Sequence, residues 1–190
     1  MQRYRFGFML RNAASVLALV FIATCVSCLR SSAQGAAPAY YRNEEFHYRF
    51  IPPAGWDRKT DMPKLTTAFL GPDESNFTVN LTVTVYTAPV KDEDLEKFAI
   101  GLKIDHGQIT ERVKTKLGGK PAWMWRTKLN IPGHPAAENR QVVCIYKNRG
   151  YELTMTVPAG FMRSKYDGVF DQWIASFVWM PTAAAPFRDR

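Results

Sequence analysis

The stretch NFTVNLTVTVY, residues 76–86, alternates apolar and polar side chains along most of its length. Successive side chains of an extended strand point to opposite faces, so this alternation collects the apolar side chains on one face. The apolar set is Phe77, Val79, Leu81, Val83 and Val85, and the opposite set consists of threonines and asparagines. The stretch therefore predicts an antiparallel sheet strand with one buried face and one polar, uncharged face.

The chain beyond this strand contains two predicted β-hairpins. Glycine-containing connections of two or three residues between extended segments are typical of such turns. The first joins QITERVKTKL (108–117) to KPAWMWRTKL (120–129) through Gly118-Gly119, and the second joins NRQVVCIYK (139–147) to YELTMTV (151–157). Within the second hairpin, Cys144 is the one cysteine outside residues 1–33, and we expect a buried, unreactive side chain there.

Two more strands precede the central one. FHYRFIPPAGW (46–56) predicts an opening strand that buries Phe46, Tyr48 and Phe50 and ends at its two prolines, which cannot donate to a sheet. KLTTAFLG (64–71) predicts a second, weaker strand.

Helical periodicity appears in two places. In DEDLEKFAIGLKI (92–104) the apolar residues follow the i, i+3, i+4, i+7 spacing of an amphipathic helix. A second helix is predicted over 164–177, where Ser164 and Asp167 have the spacing of a weak capping box. The predicted order is therefore βββαββββα, an α+β fold.

The order of these elements, together with three short motifs, resembles the PsbP-like family. The motifs are Tyr48-x-Phe50-x-x-Pro53-x-Gly55-Trp56, Leu117-Gly118-Gly119-Lys120-Pro121-Ala122 and Ile174-Ala175-Ser176-Phe177. The resemblance covers about 140 residues and implies an antiparallel β-sheet flanked by helices, an α/β/α sandwich. It also implies an accessory or binding protein, because members of that family include extrinsic photosystem II subunits, exported bacterial proteins and a nuclear Ran-binding factor.

The N-terminal residues 1–33 have the order of a secretory signal peptide: an arginine-containing start, an apolar run over 13–29, and small residues. Cleavage after Ala33 gives a secreted or periplasmic protein. Two alternatives tether it to a membrane: lipidation of Cys28, as in a lipoprotein, or an uncleaved helix. We expect a linker over 34–39, the PsbP-like domain over 40–180 and a disordered tail over 181–190.

Charge and motifs argue against several function classes. The formal net charge is +8, but residues 1–33 hold four arginines and no acid, and the rest holds 21 basic and 17 acidic residues. This mild excess lacks the motif or clustering of a nucleic-acid-binding protein. The three histidines have no metal-ligand spacing, and neither a nucleophile motif nor a phosphate-binding loop is present. We therefore predict no catalytic site, no metal and no cofactor, with a small-ligand carrier or an uncharacterised enzyme as the alternative.

The hairpin 108–129 is the candidate binding surface. If Gly118-Gly119 forms a two-residue turn, Leu117 faces Lys120 and the other pairs follow by counting: Glu111 with Arg126, Arg112 with Trp125, and Lys114 with Trp123. A cation resting on an exposed indole contributes about 0.5–1 kcal/mol.

With Lys116 and Lys128 nearby, this predicts a flat basic and aromatic platform for an acidic protein patch, an anionic glycan or lipid head groups. The alternative places both tryptophans under a helix, with the cations extending past them. A protein partner is the expectation, and membrane contact is expected only through the N-terminal segment.

Overall fold

Seven antiparallel strands form the main sheet of the computed structural model, which describes residues 39–102 and 107–181. Across this sheet the strands lie in the order β3 (Asp57–Lys59), β4 (Thr66–Glu74), β5 (Phe77–Tyr86), β9 (Arg149–Pro158), β8 (Ala137–Tyr146), β7 (Lys120–Leu129) and β6 (Gly107–Leu117). Strand β5 is the third of the seven, and its alternation matches its burial: Val79, Leu81 and Val83 are fully buried, and Asn80 and Thr82 between them are not.

A second, three-stranded sheet shares no strand pairing with the first and has the order β1 (Tyr41–Asn43), β2 (Tyr48–Phe50) and β10 (Val178–Trp179). The predicted opening strand corresponds to β2. Phe46, Tyr48 and Phe50 are all buried, as predicted, although Phe46 lies in the turn before the strand. The sequence did not predict β1, β3 or β10, because two or three residues are too few to display an alternation.

One α-helix covers each face of the main sheet, so the α/β/α sandwich is confirmed. Helix α1 (Leu95–Gly101) follows a 3₁₀ turn at Asp92–Asp94, and helix α2 (Asp167–Ala175) follows a π-helical turn at Met162–Tyr166. The large hydrophobic core lies on the α2 side and includes the small sheet, whereas α1 covers a small cluster around Ala99, Trp125 and Val143.

Two local expectations about side chains have different outcomes. Cys144 is buried, as predicted. The capping box is wrong: the Ser164 hydroxyl donates instead to the Gly160 carbonyl at 2.9 Å, and the Asp167 carboxylate binds Arg126. Asp167 follows a full π-helical turn, so the sequence spacing did not locate the true start of the helical segment.

Several sequence-based expectations lie outside the described residues. They are the signal peptide over 1–33, the lipidation site Cys28, almost all of the linker over 34–39, and the tail beyond Pro181. The domain limits at 40 and 180 stay predictions. Among the described residues, neither α-helix has the length and apolar character needed to cross a membrane.

Candidate functional site

The β6–β7 hairpin has the register that counting from the turn predicts. Gly118 and Gly119 both have positive φ, 53° and 81°, which a two-residue turn between twisted strands requires. Leu117 pairs with Lys120, and the pairs Glu111–Arg126, Arg112–Trp125 and Lys114–Trp123 all occur. The predicted register is therefore confirmed down to the β-bulge between Ile109 and Glu111.

Both cations of the predicted surface rest on a single tryptophan. The Arg112 guanidinium carbon lies 4.3 Å from the centre of the Trp123 ring, and the Lys114 ammonium lies 5.4 Å from it. The Lys114 contact matches its predicted pair. Arg112 was expected to lie on Trp125, which it faces across the strands, but it leans toward Trp123 and toward Glu96 of α1, 3.9 Å away.

Trp125 does not contribute to an exposed platform, which corrects the prediction of a flat surface with two indoles. Only 2% of Trp125 is exposed, because α1 lies over it through Ala99. Trp123, at the border of the same cluster, stays half-buried. The alternative interpretation, with tryptophans under a helix and cations extending outward, is thus the correct one for Trp125, and Trp123 combines both arrangements.

A chain of hydrogen bonds holds Trp125 in this position. Its indole N–H donates to the Gln141 side-chain carbonyl, and the Gln141 amide donates to Glu152 at 2.7 Å. Glu152 also accepts a hydrogen bond of 2.5 Å from the Tyr86 hydroxyl. Burial and this bond raise the pKa of Tyr86 well above its usual value, so the hydroxyl stays protonated. These hydrogen bonds satisfy the polar side chains beneath α1 and hold the Trp125 ring in place.

The remaining lysines divide between the two faces of the hairpin. Lys116 lies on the same face as Arg112 and Lys114, since alternate residues of a strand share a face. Lys128 lies on the opposite face, because it is an odd number of positions from Trp123. Contrary to the prediction, it therefore adds no charge to this surface. We call Arg112, Lys114, Lys116 and Trp123 the cationic edge face.

The opposite face of the hairpin holds a charge network that sequence reasoning predicted only in part. The expected pair is present, with the Arg126 Nε 2.9 Å from Glu111. Arg126 also donates two hydrogen bonds of 2.8 Å to the Asp167 carboxylate at the start of α2, and this contact raises the pKa of Arg126 further. Arg140 reaches the same carboxylate at 3.3 Å and Asp171 at 2.8 Å.

The signal for this network was an arginine at an inward position. Arg140 alternates with Val142 and Cys144 along β8, and a charge among buried apolar residues requires a partner. These contacts attach α2 to the sheet, so Asp167 anchors the helix to the strands.

A cleft of about 310 Å³ lies beside this network, between the hairpin and the turn that precedes α2. Its walls carry Arg126, Lys128 and Arg163 together with Glu138, whose carboxylate accepts a hydrogen bond of 3.0 Å from the Gly160 backbone N–H. Within residues 39–102 and 107–181, the structure contains no group of three or more histidine, cysteine or acidic side chains arranged for a metal ion.

No family model matches the sequence, and no curated protein matches it. Solved structures do match the fold. Cyanobacterial PsbP (CyanoP) from Synechocystis sp. PCC 6803 superposes with a TM-score of 0.54 at 15% identity, over 80% of this chain and 99% of that one. LpqN of Mycobacterium tuberculosis, described as involved in cell envelope biogenesis, has a TM-score of 0.54 at 12% identity, over 78% and 88% of the two chains.

The Saccharomyces cerevisiae Ran-binding protein Mog1p superposes with a TM-score of 0.50 at 11% identity, over 77% of this chain and 98% of that one. A match from Bacteroides thetaiotaomicron is a longer protein, of which this chain spans about half (46%). The fold is therefore PsbP-like, as the sequence motifs predicted, and at these identities the likeness concerns the fold alone.

Proposed function

We propose that this PsbP-like domain is an exported, non-catalytic accessory protein of the cell envelope that binds a protein partner through its cationic edge face. The observation that carries the proposal is the pair of cations, Arg112 and Lys114, stacked on the half-buried Trp123. Both cations are exposed, and Trp123 is supported by the cluster beneath α1. A rigid indole with charges on its surface is a typical anchor for an acidic partner.

Protein binding is supported by two further features. Among residues 39–102 and 107–181, the acidic contact of Arg112 is with Glu96 at 3.9 Å, and an exposed pair at that distance is weak and screened by salt. The Arg112 guanidinium can therefore turn toward a closer carboxylate on a partner at low cost. Among solved structures of the same fold, Mog1p is described as a Ran-binding protein, so this architecture can carry a protein interface.

Export to the envelope is proposed from the signal-like order of residues 1–33, and the envelope role described for LpqN agrees with it. Reading the N-terminus of the protein from its native cell tests this directly. A free N-terminus at Gln34 supports cleavage after Ala33, and a lipid on Cys28 that is lost in the Cys28→Ser variant supports a lipoprotein. An intact Met1 on cytoplasmic protein would reject export.

The binding proposal is tested by cross-linking in the native cell followed by mass spectrometry of the captured proteins. We expect one dominant partner, whose capture falls with the double variant Arg112→Glu and Lys114→Glu. The control is Lys128→Glu, which reverses one charge on the other face of the same hairpin and is compared with the single variant Lys114→Glu. Equal capture by the double variant and by wild type would reject the cationic edge face as the interface.

A small-ligand carrier is the second candidate function, and the cleft beside Lys128 is the observation that favours it. Two of its cations are already engaged, since Arg126 binds Asp167 and Arg163 lies 3.7 Å from Glu111, so less charge is free for a ligand there. If the cleft binds an anionic metabolite, Lys128→Glu should weaken that binding and the double variant on the other face should not.

A further inference from the structure

Strand β6 ends the main sheet, and its outer edge has no strand partner among residues 39–102 and 107–181. It is an 11-residue strand, and the side chains of Arg112, Val113, Lys114 and Lys116 are exposed along it. An open edge of this length presents backbone N–H and C=O groups that another extended chain can pair with.

The turn determines which residues offer those backbone groups. A two-residue turn bonds the Leu117 carbonyl to the Lys120 N–H, so that pair is hydrogen-bonded. Bonded and non-bonded pairs alternate along an antiparallel ladder. The pairs at Lys116, Lys114 and Arg112 are therefore the non-bonded ones, and the backbone groups of these three residues point away from β7 toward the open edge.

The outward backbone groups and the cationic side chains thus belong to the same three residues. An antiparallel partner strand sets one residue directly opposite each of Arg112, Lys114 and Lys116, on the same face and in hydrogen-bonded contact. A carboxylate at each of those positions would lie within pairing distance of a cation. The residues between them would face Val113 and Thr115, which are uncharged.

A second copy of this chain does not fit the same edge. Pairing β6 with another β6 would bring the cations of the two copies together, and like charges directly opposite are destabilising. The charge on this edge instead complements an acidic strand.

We propose that the open edge of β6 binds an extended protein segment by antiparallel strand addition, and that this segment carries a carboxylate at every second residue. The inference rests on the proposed function, because it specifies how the cationic edge face would hold its partner. Strand addition supplies affinity through the backbone, and the alternating carboxylates supply specificity.

The test uses the purified full chain and a fluorescein-labelled ten-residue peptide that alternates glutamate and threonine, with anisotropy as the readout. A paired peptide of the same composition, Glu-Glu-Thr-Thr-Glu-Glu-Thr-Thr-Glu-Thr, has no two glutamates two residues apart and is the control for charge. Two methylated forms of the alternating peptide test the backbone. N-methylation of the backbone amides of the glutamates removes the N–H donors that face β6. N-methylation of the backbone amides of the threonines leaves those donors intact.

We expect the alternating peptide to bind about fivefold more tightly than the paired peptide, because only the alternating peptide sets a carboxylate opposite all three cations. Glutamate methylation should abolish binding, and threonine methylation should preserve it. Hydrogen exchange at the amides of Arg112, Lys114 and Lys116 should slow on binding. Lys114→Pro, which removes one outward N–H, should weaken binding about fivefold more than Lys114→Gln, which removes only the charge.

Equal binding of the alternating and paired peptides, or equal effects of the two methylations, would overturn strand addition and leave binding through side-chain charge. No binding of the alternating peptide would also overturn it. These failures differ from failure of the proposed function, which is read from capture in the cell by the double variant Arg112→Glu and Lys114→Glu. If Lys114→Pro does not fold, the methylated peptides still decide, because they leave the protein unchanged.

Discussion

Replacing Asp167 with asparagine should loosen the attachment of α2 to the sheet. The carboxylate accepts two hydrogen bonds of 2.8 Å from Arg126 and one of 3.3 Å from Arg140. These arginine side chains are only 16% and 8% exposed, so the protein, more than water, must balance their charge. Asparagine keeps one carbonyl oxygen in place and removes the negative charge between the two guanidinium groups.

The magnitude follows from the exposure of the three groups. Breaking a fully buried ion pair costs about 3–5 kcal/mol, and breaking an exposed one costs about 1 kcal/mol or less. Asp167 is 28% exposed, so the value should lie between these limits, at about 2–3 kcal/mol. For a domain of this size, that lowers the melting midpoint by about 6–9 °C.

The assay is thermal unfolding followed by circular dichroism, with Asp171→Asn as the matched control. Asp171 pairs with Arg140 from one turn further along α2, but its side chain is 62% exposed. Its loss should cost under about 1 kcal/mol. If the two variants lower the midpoint by the same small amount, Asp167 does not anchor the helix. Combining Asp167→Asn with Arg126→Met should cost less than the sum of the single changes, because both remove the same contact.

Three further predictions concern other parts of the fold. The hydrogen bond from Lys165 lowers the pKa of Glu74 below its usual value. The stabilisation from this contact is therefore present above the usual pKa of a glutamate and is lost as the pH falls through the lowered pKa, so Glu74→Gln should flatten the acid side of a melting-temperature profile. Gly150→Ala should reduce the free energy of unfolding by about 1–3 kcal/mol, because a methyl group there would lie 2.2 Å from the Phe98 ring. Burial raises the pKa of Cys144 to about 12, so iodoacetamide should label it only after unfolding.

Each of these predictions has a control or a contradicting result. If the melting temperature of Glu74→Gln falls as steeply with falling pH as that of wild type, the Glu74 carboxylate does not contribute to the acid sensitivity. Gly101→Ala is the control for Gly150→Ala, because a methyl group at Gly101 meets nothing within 4 Å and the unfolding free energy should hold or rise. Labelling of Cys144 is read on the tryptic peptide 141–147, and modification of the native protein at pH 8 would contradict the burial argument.

The parts of the fold that the sequence predicted are those determined by local rules. The turn at Gly118-Gly119 determines every pair down to the bulge, so the register of the hairpin could be counted without a structure. The apolar periodicity of Leu95, Phe98 and Ala99 likewise identified the buried face of α1. These features depend on residues close together in the chain, where φ preferences and strand geometry are sufficient.

The parts that the sequence missed depend on which elements meet across the fold. Arg112 faces Trp125 in the ladder, but α1 covers Trp125 and leaves Trp123 as the accessible ring. Nothing in the spacing of residues 108–129 shows where that helix will lie. The same holds for Asp167, whose arginine partners come from two other strands and not from its own helical turn.

The small sheet has a consequence for the order of assembly. Its middle strand, β2, pairs with β10, and the Ile51 backbone N–H donates to the Ser176 hydroxyl over a separation of 125 positions in the chain. Contacts of such long range form late, because the loop between them must be closed before they contribute. The first strands made by the ribosome therefore wait for the segment around Trp179 before the fold can close. Until then the small sheet lacks one of its three strands, so a chain that ends before Val178 should leave β2 paired on one side only.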